Sequence, residues 1–223
     1  MIVIRKSQDR GHAQHGWLDS YHSFSFADYY DLKWMGFRTL RVINEDRVAP
    51  GQGFGSHPHR DMEIITYVLS GQLKHKDSMG NEGTIHPDEV QKMSAGTGVV
   101  HSEFNASSDK EVHFLQIWIM PDTEYLQPAY EQNFLPADQQ NSFVVFPVNI
   151  HQDAKVFRGR VSKGHELSYV LNKERGAWVQ TISGSLLINE NSLEAGDAVL
   201  IEKETDLHFT TSSQCEFLLF DLK

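Results

Sequence analysis

Apolar and polar residues alternate over short stretches of the chain, and glycine, asparagine, aspartate and proline interrupt them repeatedly. Runs rich in Val, Ile, Phe, Tyr and Trp fall at residues 38–43, 62–69, 112–120, 143–148, 167–170, 178–182, 185–188, 198–202 and 216–221. They read as strands, because β-branched and aromatic side chains fit a pleated, half-buried surface. Turn signals separate several of them: Ser70-Gly71, Met79-Gly80-Asn81-Glu82-Gly83, Ser183-Gly184 and Glu194-Ala195-Gly196-Asp197. No segment of helical length carries a clean apolar stripe at helical spacing. The pattern predicts an all-β chain whose short strands build a sandwich or barrel.

Residues 121–141 break this rhythm. They hold Pro121, Pro128 and Pro136, several glutamines and little alternation, and Asp122-Thr123-Glu124 suits the opening of one helical turn. The stretch is expected to be a connection lying over the surface. It divides the chain into an N-terminal domain, residues 1–133, and a C-terminal domain, residues 134–223. The halves share a coarse order of strands, a glycine-centred turn, then an acidic residue leading into an apolar strand. Asp88-Glu89-Val90 answers to Gly196-Asp197-Ala198, as an internal duplication would produce.

With 223 residues, 39% hydrophobic and 22% charged, the chain can bury a substantial core. Twenty Lys and Arg against thirty Asp and Glu give a net charge of −10. That sign argues against direct nucleic-acid or anionic-membrane binding, which needs basic surface. Cys215 stands alone, so a disulfide scaffold is excluded and a reducing compartment fits. Charge follows Met1 too closely for a signal peptide, and no apolar run reaches membrane-spanning length. A cytoplasmic protein is expected.

Of the twelve histidines, those in two glycine-flanked segments carry the candidate chemistry. On an extended strand, side chains two residues apart point the same way, roughly 6.6–6.8 Å apart. His57 and His59 can thus converge on one point, and so can His101 and Glu103. Pro58 between the first pair donates no N–H, which places that strand at a sheet edge or entrance. Adjacent strands would assemble three imidazoles and a carboxylate. This set suits Fe, Mn, Co, Ni, Cu or Zn and is too nitrogen-rich for Ca or Mg. A purely structural zinc closed by four protein ligands is the alternative, although such sites usually recruit cysteine. His75 and His113 read as structural histidines. His12, His15 and His22 read as surface or packing residues, and His165 and His208 lack a partner at two-residue spacing. Phe54, Met62, Phe104, Phe114 and Trp118 are candidates for an apolar wall around a flat ligand, with ordinary core as the alternative.

The run Gly51-x5-His57-x-His59-x3-Glu63, followed by Gly98-x2-His101-x3-Asn105, resembles the paired motifs of the cupin superfamily. More specifically, His57-Pro58-His59-Arg60-Asp61-Met62-Glu63, then residues 88–96, then His101-Ser102-Glu103-Phe104-Asn105, resemble pirins. Residues 16–26 and Tyr29-Tyr30-Asp31 fit the same family. The resemblance implies a bicupin of two facing jelly-roll barrels with short helical turns in the linker. It also implies one divalent transition metal in the N-terminal barrel, iron ranking first, held by His57, His59, His101 and Glu103. Glu63, a ligand in many other cupins, lies outside that quartet in pirins, and Gly96 replaces the usual cupin proline. Ala177-Trp178-Val179-Gln180 is expected to stand where ligands would be in a metal-free second barrel. The implied activity resembles that of quercetin 2,3-dioxygenases: O2-dependent opening of a flavonol ring with release of CO, Glu103 accepting the 3-hydroxyl proton. The partners would then be a small aromatic substrate and O2, and a monomer is the simplest assembly for a bicupin, whose barrels already bury one another. A metal-dependent, redox-sensing regulatory protein with a protein partner, or another small-molecule cupin enzyme, is the competing expectation.

Overall fold

A computed structural model describes all 223 residues. Twelve strands come first: β1 (Ile2–Arg5), β2 (Gly11–Gln14), β3 (Leu18–His22), β4 (Leu40–Val48), β5 (Gly53–His59), β6 (Glu63–Ser70), β7 (Leu73–Asp77), β8 (Glu82–Ile85), β9 (Glu89–Ser94), β10 (Val99–Asn105), β11 (Val112–Ile119) and β12 (Ala129–Phe134). Nine follow: β13 (Ser142–Val145), β14 (Ala154–Val161), β15 (Glu166–Val170), β16 (Gly176–Ser183), β17 (Ser185–Ile188), β18 (Asn191–Glu194), β19 (Ala198–Glu202), β20 (Asp206–Thr210) and β21 (Cys215–Leu222). The chain is all-β, as the alternation predicts, with a single 3-10 turn at Ser7–Asp9.

Residues 121–141 differ from expectation in two ways. The helical turn at Asp122 does not form. The Tyr125 N–H donates to the Asp61 carboxylate at 2.6 Å, and Tyr125 adopts φ 58, so the backbone bends instead. Ala129–Phe134 is also a strand rather than a free connection, paired with β9 from Ala129↔Ser94 to Phe134↔Glu89. As the outer strand of its sheet it is only half-buried, which is why it lacks a clear alternation.

Two compact units result. The first comprises Gly11–Leu135 and Pro147–Gln152; the second comprises Met1–Arg10, Pro136–Phe146 and Asp153–Lys223. A single cut near residue 134 therefore does not describe them. The first ten residues belong with the second unit because β1 pairs antiparallel with β19, from Ile2↔Ile201 to Arg5↔Ala198. Residues 147–152 belong with the first because the backbone N–H groups of Asn149 and His151 donate to the carboxylates of Glu131 and Glu63.

The first unit has a seven-stranded sheet, β12-β9-β6-β11-β4-β3-β2, and a four-stranded sheet, β5-β10-β7-β8. The second has β1-β19-β16-β21-β14-β13 and β15-β20-β17-β18. Strand order repeats: β9-β6-β11-β4 is matched by β19-β16-β21-β14, and β5-β10-β7-β8 by β15-β20-β17-β18. The second unit has a continuous apolar core that includes Val179, Leu193, Leu207, Phe209 and Phe217. Apolar packing in the first unit includes a cluster around Val48, Leu73 and Phe114 and a smaller one of Ile64, Met93 and Val99, besides buried side chains such as Leu40, Ile43, Ile65 and Ile117. Polar side chains are buried among them as well.

One such group is built on Lys92, whose ammonium is fully buried. Its Nζ donates to Ser94 Oγ at 2.7 Å and lies 3.2 Å from Glu63 Oε2 and 3.3 Å from Glu131 Oε1. Glu63 is itself buried, so its charge depends on this partner. Replacing Lys92 with alanine leaves that carboxylate without its cation and is expected to cost about 3–5 kcal/mol of stability, measurable by urea unfolding of the two proteins.

Candidate metal centre

The centre lies on the four-stranded sheet of the first unit. On β10 burial alternates strictly, which turns Val99, His101, Glu103 and Asn105 inward. On β7 the same alternation turns Leu73, His75 and Asp77 inward and leaves Lys74 and Lys76 exposed. β10 pairs on one side with β5, His101 opposite His57, and on the other with β7, His101 opposite Asp77 and Glu103 opposite His75. A bulge against β5 falls between His101 and Glu103. β5 is an edge strand, so Pro58 removes no interior ladder bond. Gly53 lets β5 lie against β10, since a Cβ there would collide with the Glu103 carbonyl. Gly96, in the turn before β10, has φ 44, and a Cβ there would strike the Leu126 carbonyl. Proline, fixed near φ −65°, cannot take that place.

Three imidazoles meet: ring centroids lie 4.8 Å apart for His57 and His59, 4.5 Å for His57 and His101, and 4.9 Å for His59 and His101. Their ligand-capable nitrogens all lie within 4.8 Å of one another. Glu103 joins His101 in a second, fully buried triad on the same spacing, whose third member is His75. His101 is common to both. The His57 Nδ1–H donates to the Gly55 carbonyl at 2.7 Å, leaving the Nε2 lone pair free. Both ring nitrogens of buried His101 have no hydrogen-bond partner. Buried polar atoms without partners are rare and call for a bound ion or water, and a divalent cation suits neutral imidazoles beside a carboxylate.

The electrostatics fit the same group. Burial, reinforced by the neighbouring imidazoles, lowers the pKa of His59 to about 4 and that of His101 to about 3. Burial raises that of Glu103, against opposing contributions from His75, His57, Thr66 and Gln116. Gln116 Nε2 donates to Glu103 Oε2 at 3.0 Å, and Thr66 Oγ1 lies 2.7 Å from Gln116 Oε1 and 3.3 Å from Glu103 Oε1. This network fixes the carboxylate. Glu63 takes no part: it is bound to Lys92.

His57, His59 and Glu103 open onto a cavity of about 300 Å³. Phe54 and Trp118 line it, but the other wall candidates do not: Phe114 is core, Phe104 is partly exposed, and Met62 packs against the Ile64 cluster. The rest of the lining was not legible in the sequence. Ser20 and His22 come from β3, Asp46 from β4, Trp17 from the turn before β3 and Phe26 from the loop between β3 and β4. Trp17 meets Phe54 edge-on at 5.3 Å, and Phe26 meets Trp118 at 5.4 Å. Ser20 Oγ donates to Asp46 and lies 2.8 Å from His22 Nε2. Burial raises the pKa of Asp46 to about 7, with Ser20 opposing.

Three expectations for histidines are corrected here. His75 belongs to the cluster, His22 lines the cavity because β3 turns Leu18, Ser20 and His22 inward, and His15 lines it from the turn before β3. A polar pair at inward positions of an alternating strand was the available signal. His12, by contrast, stands at the surface 2.6 Å from Asp19, and His113 is satisfied by Glu45 at 2.9 Å. The second unit needs a correction too. Ala177–Gln180 lies on β16, which corresponds to β6, not to a strand that carries ligands. The counterparts of β5 and β10 are β15 and β20, whose inward pairs are Tyr169 with Leu207 and Leu167 with Phe209.

A duplicated two-sheet β-architecture, with both potential ligand triads in the first unit, defines a bicupin of the metal-centre class. Residues 3–119 match the sequence profile described as Pirin, and residues 138–222 match that of the quercetinase C-terminal cupin domain. The chain is 46% identical to a quercetin 2,3-dioxygenase of Escherichia coli K12, over 100% of this chain and 99% of that protein. It is 36% identical to a pirin-like protein of Caulobacter vibrioides, over 99% of each. Among solved structures, E. coli YhhW matches with a TM-score of 0.97 and 46% identity over 100% of this chain and 98% of that one. The nickel(II) complex of bacterial pirin YhhW matches with a TM-score of 0.96 and 43% identity, over 100% and 99%. The chain belongs to the pirin family.

Because burial opposes the imidazolium, His59 and His101 stay neutral in the metal-free protein at pH 5.5, where an exposed histidine is mostly protonated. Imidazole proton shifts followed by NMR should give midpoints near 4 and 3 for these two rings.

Proposed function

We propose that the protein is a metal-dependent dioxygenase of the pirin type that cleaves flavonols such as quercetin with O2 and releases CO. The observation that carries this reading is the opening of His57, His59 and Glu103 into a cavity of about 300 Å³ bracketed by the Trp17–Phe54 and Phe26–Trp118 pairs. That volume stands at the lower end of the about 300–1,000 Å³ usual for small-molecule sites, and the ring edges suit a flat aromatic guest. The full-length similarity to proteins named quercetin 2,3-dioxygenase supports the same substrate class.

His57, His59, His101 and Glu103 would hold one divalent transition metal. Iron ranks first, and the nickel of the related bacterial pirin adds weight to nickel. A bound divalent ion supplies Lewis acidity that favours the deprotonated 3-hydroxyl of a flavonol. The protein's own groups do the rest. Glu103, whose proton affinity burial raises, accepts the 3-hydroxyl proton. Gln116 and Thr66 hold that carboxylate in place. Trp17, Phe54, Phe26 and Trp118 exclude water around the ring. Asp46, Ser20 and His22 offer hydrogen bonds to further substrate hydroxyls. The reading takes the protein as a cytoplasmic monomer. No helix is long and apolar enough to cross a membrane.

Metal-loaded protein mixed with quercetin is expected to consume O2, release CO and bleach the flavonol absorbance. Full occupancy by iron, manganese, cobalt, nickel or copper without turnover would overturn the reading. Glu103→Gln should lower kcat by about 10²–10⁴-fold when the rate is normalised to bound metal. An unchanged normalised rate would reduce Glu103 to a ligand alone.

A further inference from the structure

His75 and Asp77 have no role in the chemistry above, yet both side chains are wholly buried beside it. Asp77 is firmly held: Oδ1 accepts the Met79 N–H at 2.9 Å and the Asn81 N–H at 3.0 Å, and Oδ2 accepts the Asn81 side-chain N–H at 2.9 Å. The remaining contact is His75 Nε2 to Oδ2, at 3.2 Å. Burial pushes the Asp77 carboxyl up, but these hydrogen bonds outweigh it and leave the group below the usual carboxylate range. An ionised carboxylate only accepts, so His75 Nε2 carries the ring proton and Nδ1 presents a lone pair.

That Nδ1 has no partner, and neither ring nitrogen of His101 has one. His75 and His101 bring ring nitrogens within 4.8 Å of each other, with ring centroids 5.4 Å apart. Tyr130, which packs on His75 at 5.0 Å, does not supply the missing donor, because its hydroxyl donates to Gln132 Oε1 at 2.7 Å. A cation accounts for one His101 nitrogen. The other must then carry a proton, and a buried, metal-bound imidazole almost always donates that N–H to an acceptor. His75 Nδ1 is a vacant acceptor on the neighbouring ring.

We propose that, once a cation is bound, Asp77 and His75 form a hydrogen-bonded relay that positions His101 as a metal ligand: His101 N–H turns to donate to His75 Nδ1, a contact neither atom makes without the metal, and His75 Nε2–H donates to Asp77. The relay rests on the reading that this centre holds a metal, and it goes beyond that reading by adding two positioning residues outside the quartet. It sets the tautomer and orientation of His101 and raises its basicity toward the cation.

The test is nickel(II) titration of the full-length protein and three variants, with the thermal unfolding midpoint of each metal-free protein recorded alongside. His75→Leu removes the acceptor and should weaken nickel binding by about 10–100-fold. His75→Asn places a carbonyl oxygen near the position of Nδ1 and should restore affinity to within a few-fold of the parent. Asp77→Asn keeps the oxygen that holds the turn but offers an N–H to His75 Nε2, and to an Asn81 amide that must flip to accept it. This moves the ring proton to Nδ1, so affinity should fall as in His75→Leu, by more than any fall in the midpoint accounts for. Equal losses in His75→Leu and His75→Asn, or parental affinity in all three, would overturn the relay. So would X-ray absorption showing one fewer imidazole on nickel in His75→Leu, since His75 would then be a ligand itself. A parent protein that binds no nickel or other divalent metal would instead sink the metal reading, and the relay with it.

Discussion

The site depends on the register of β10 between β5 and β7. Side chains alternate across a strand, so a slip of one residue would turn His101 and Glu103 out and Ser102 and Phe104 in. The pairings that prevent the slip are His101 with His57 on one side, and His101 with Asp77 and Glu103 with His75 on the other. Gly53 belongs to the same constraint, because any side chain there would lift β5 away from the Glu103 carbonyl. The chemistry is therefore a property of a three-strand ladder rather than of four independent residues.

That ladder gathers groups that resist burial. His59 and His101 stay neutral more readily than exposed imidazoles do, and Glu103, like Asp46 nearby, holds its proton more tightly than exposed carboxylates do. Without a ligand the cluster leaves nitrogens unpaired in a dry interior, which costs free energy. A divalent cation relieves both costs at once, since it takes the lone pairs and offsets the carboxylate charge. Glu63 shows the other solution to the same problem. Facing a buried lysine, it forms an ion pair, and its charge is offset there rather than at a metal.

The two units show how little of the fold is needed to change the function. Strand order is repeated between them, yet the inward positions of β15 and β20 carry Leu167, Tyr169, Leu207 and Phe209 where β5 and β10 carry imidazoles and a carboxylate. Those apolar side chains join a continuous core, whereas the first unit gives up part of its core to a polar cluster and a cavity. A duplicated scaffold can thus hold one unit for chemistry and one for packing.

Local information in the chain was enough for the strands, because a two-residue period survives whatever the strand packs against. It was also enough to bring His57, His59, His101 and Glu103 under consideration, since their spacing alone puts each pair on one face. The edge strand at residues 129–134 stayed hidden, as half-buried positions leave no alternation to read. His75, Ser20, His22 and Asp46 stayed hidden for a different reason: each sits in an ordinary-looking strand, and its neighbours at the site come from distant segments. The same holds for the return of β1 to β19. Which inward positions share one cavity is decided by sheet order and register, and these are settled only when the whole chain is packed.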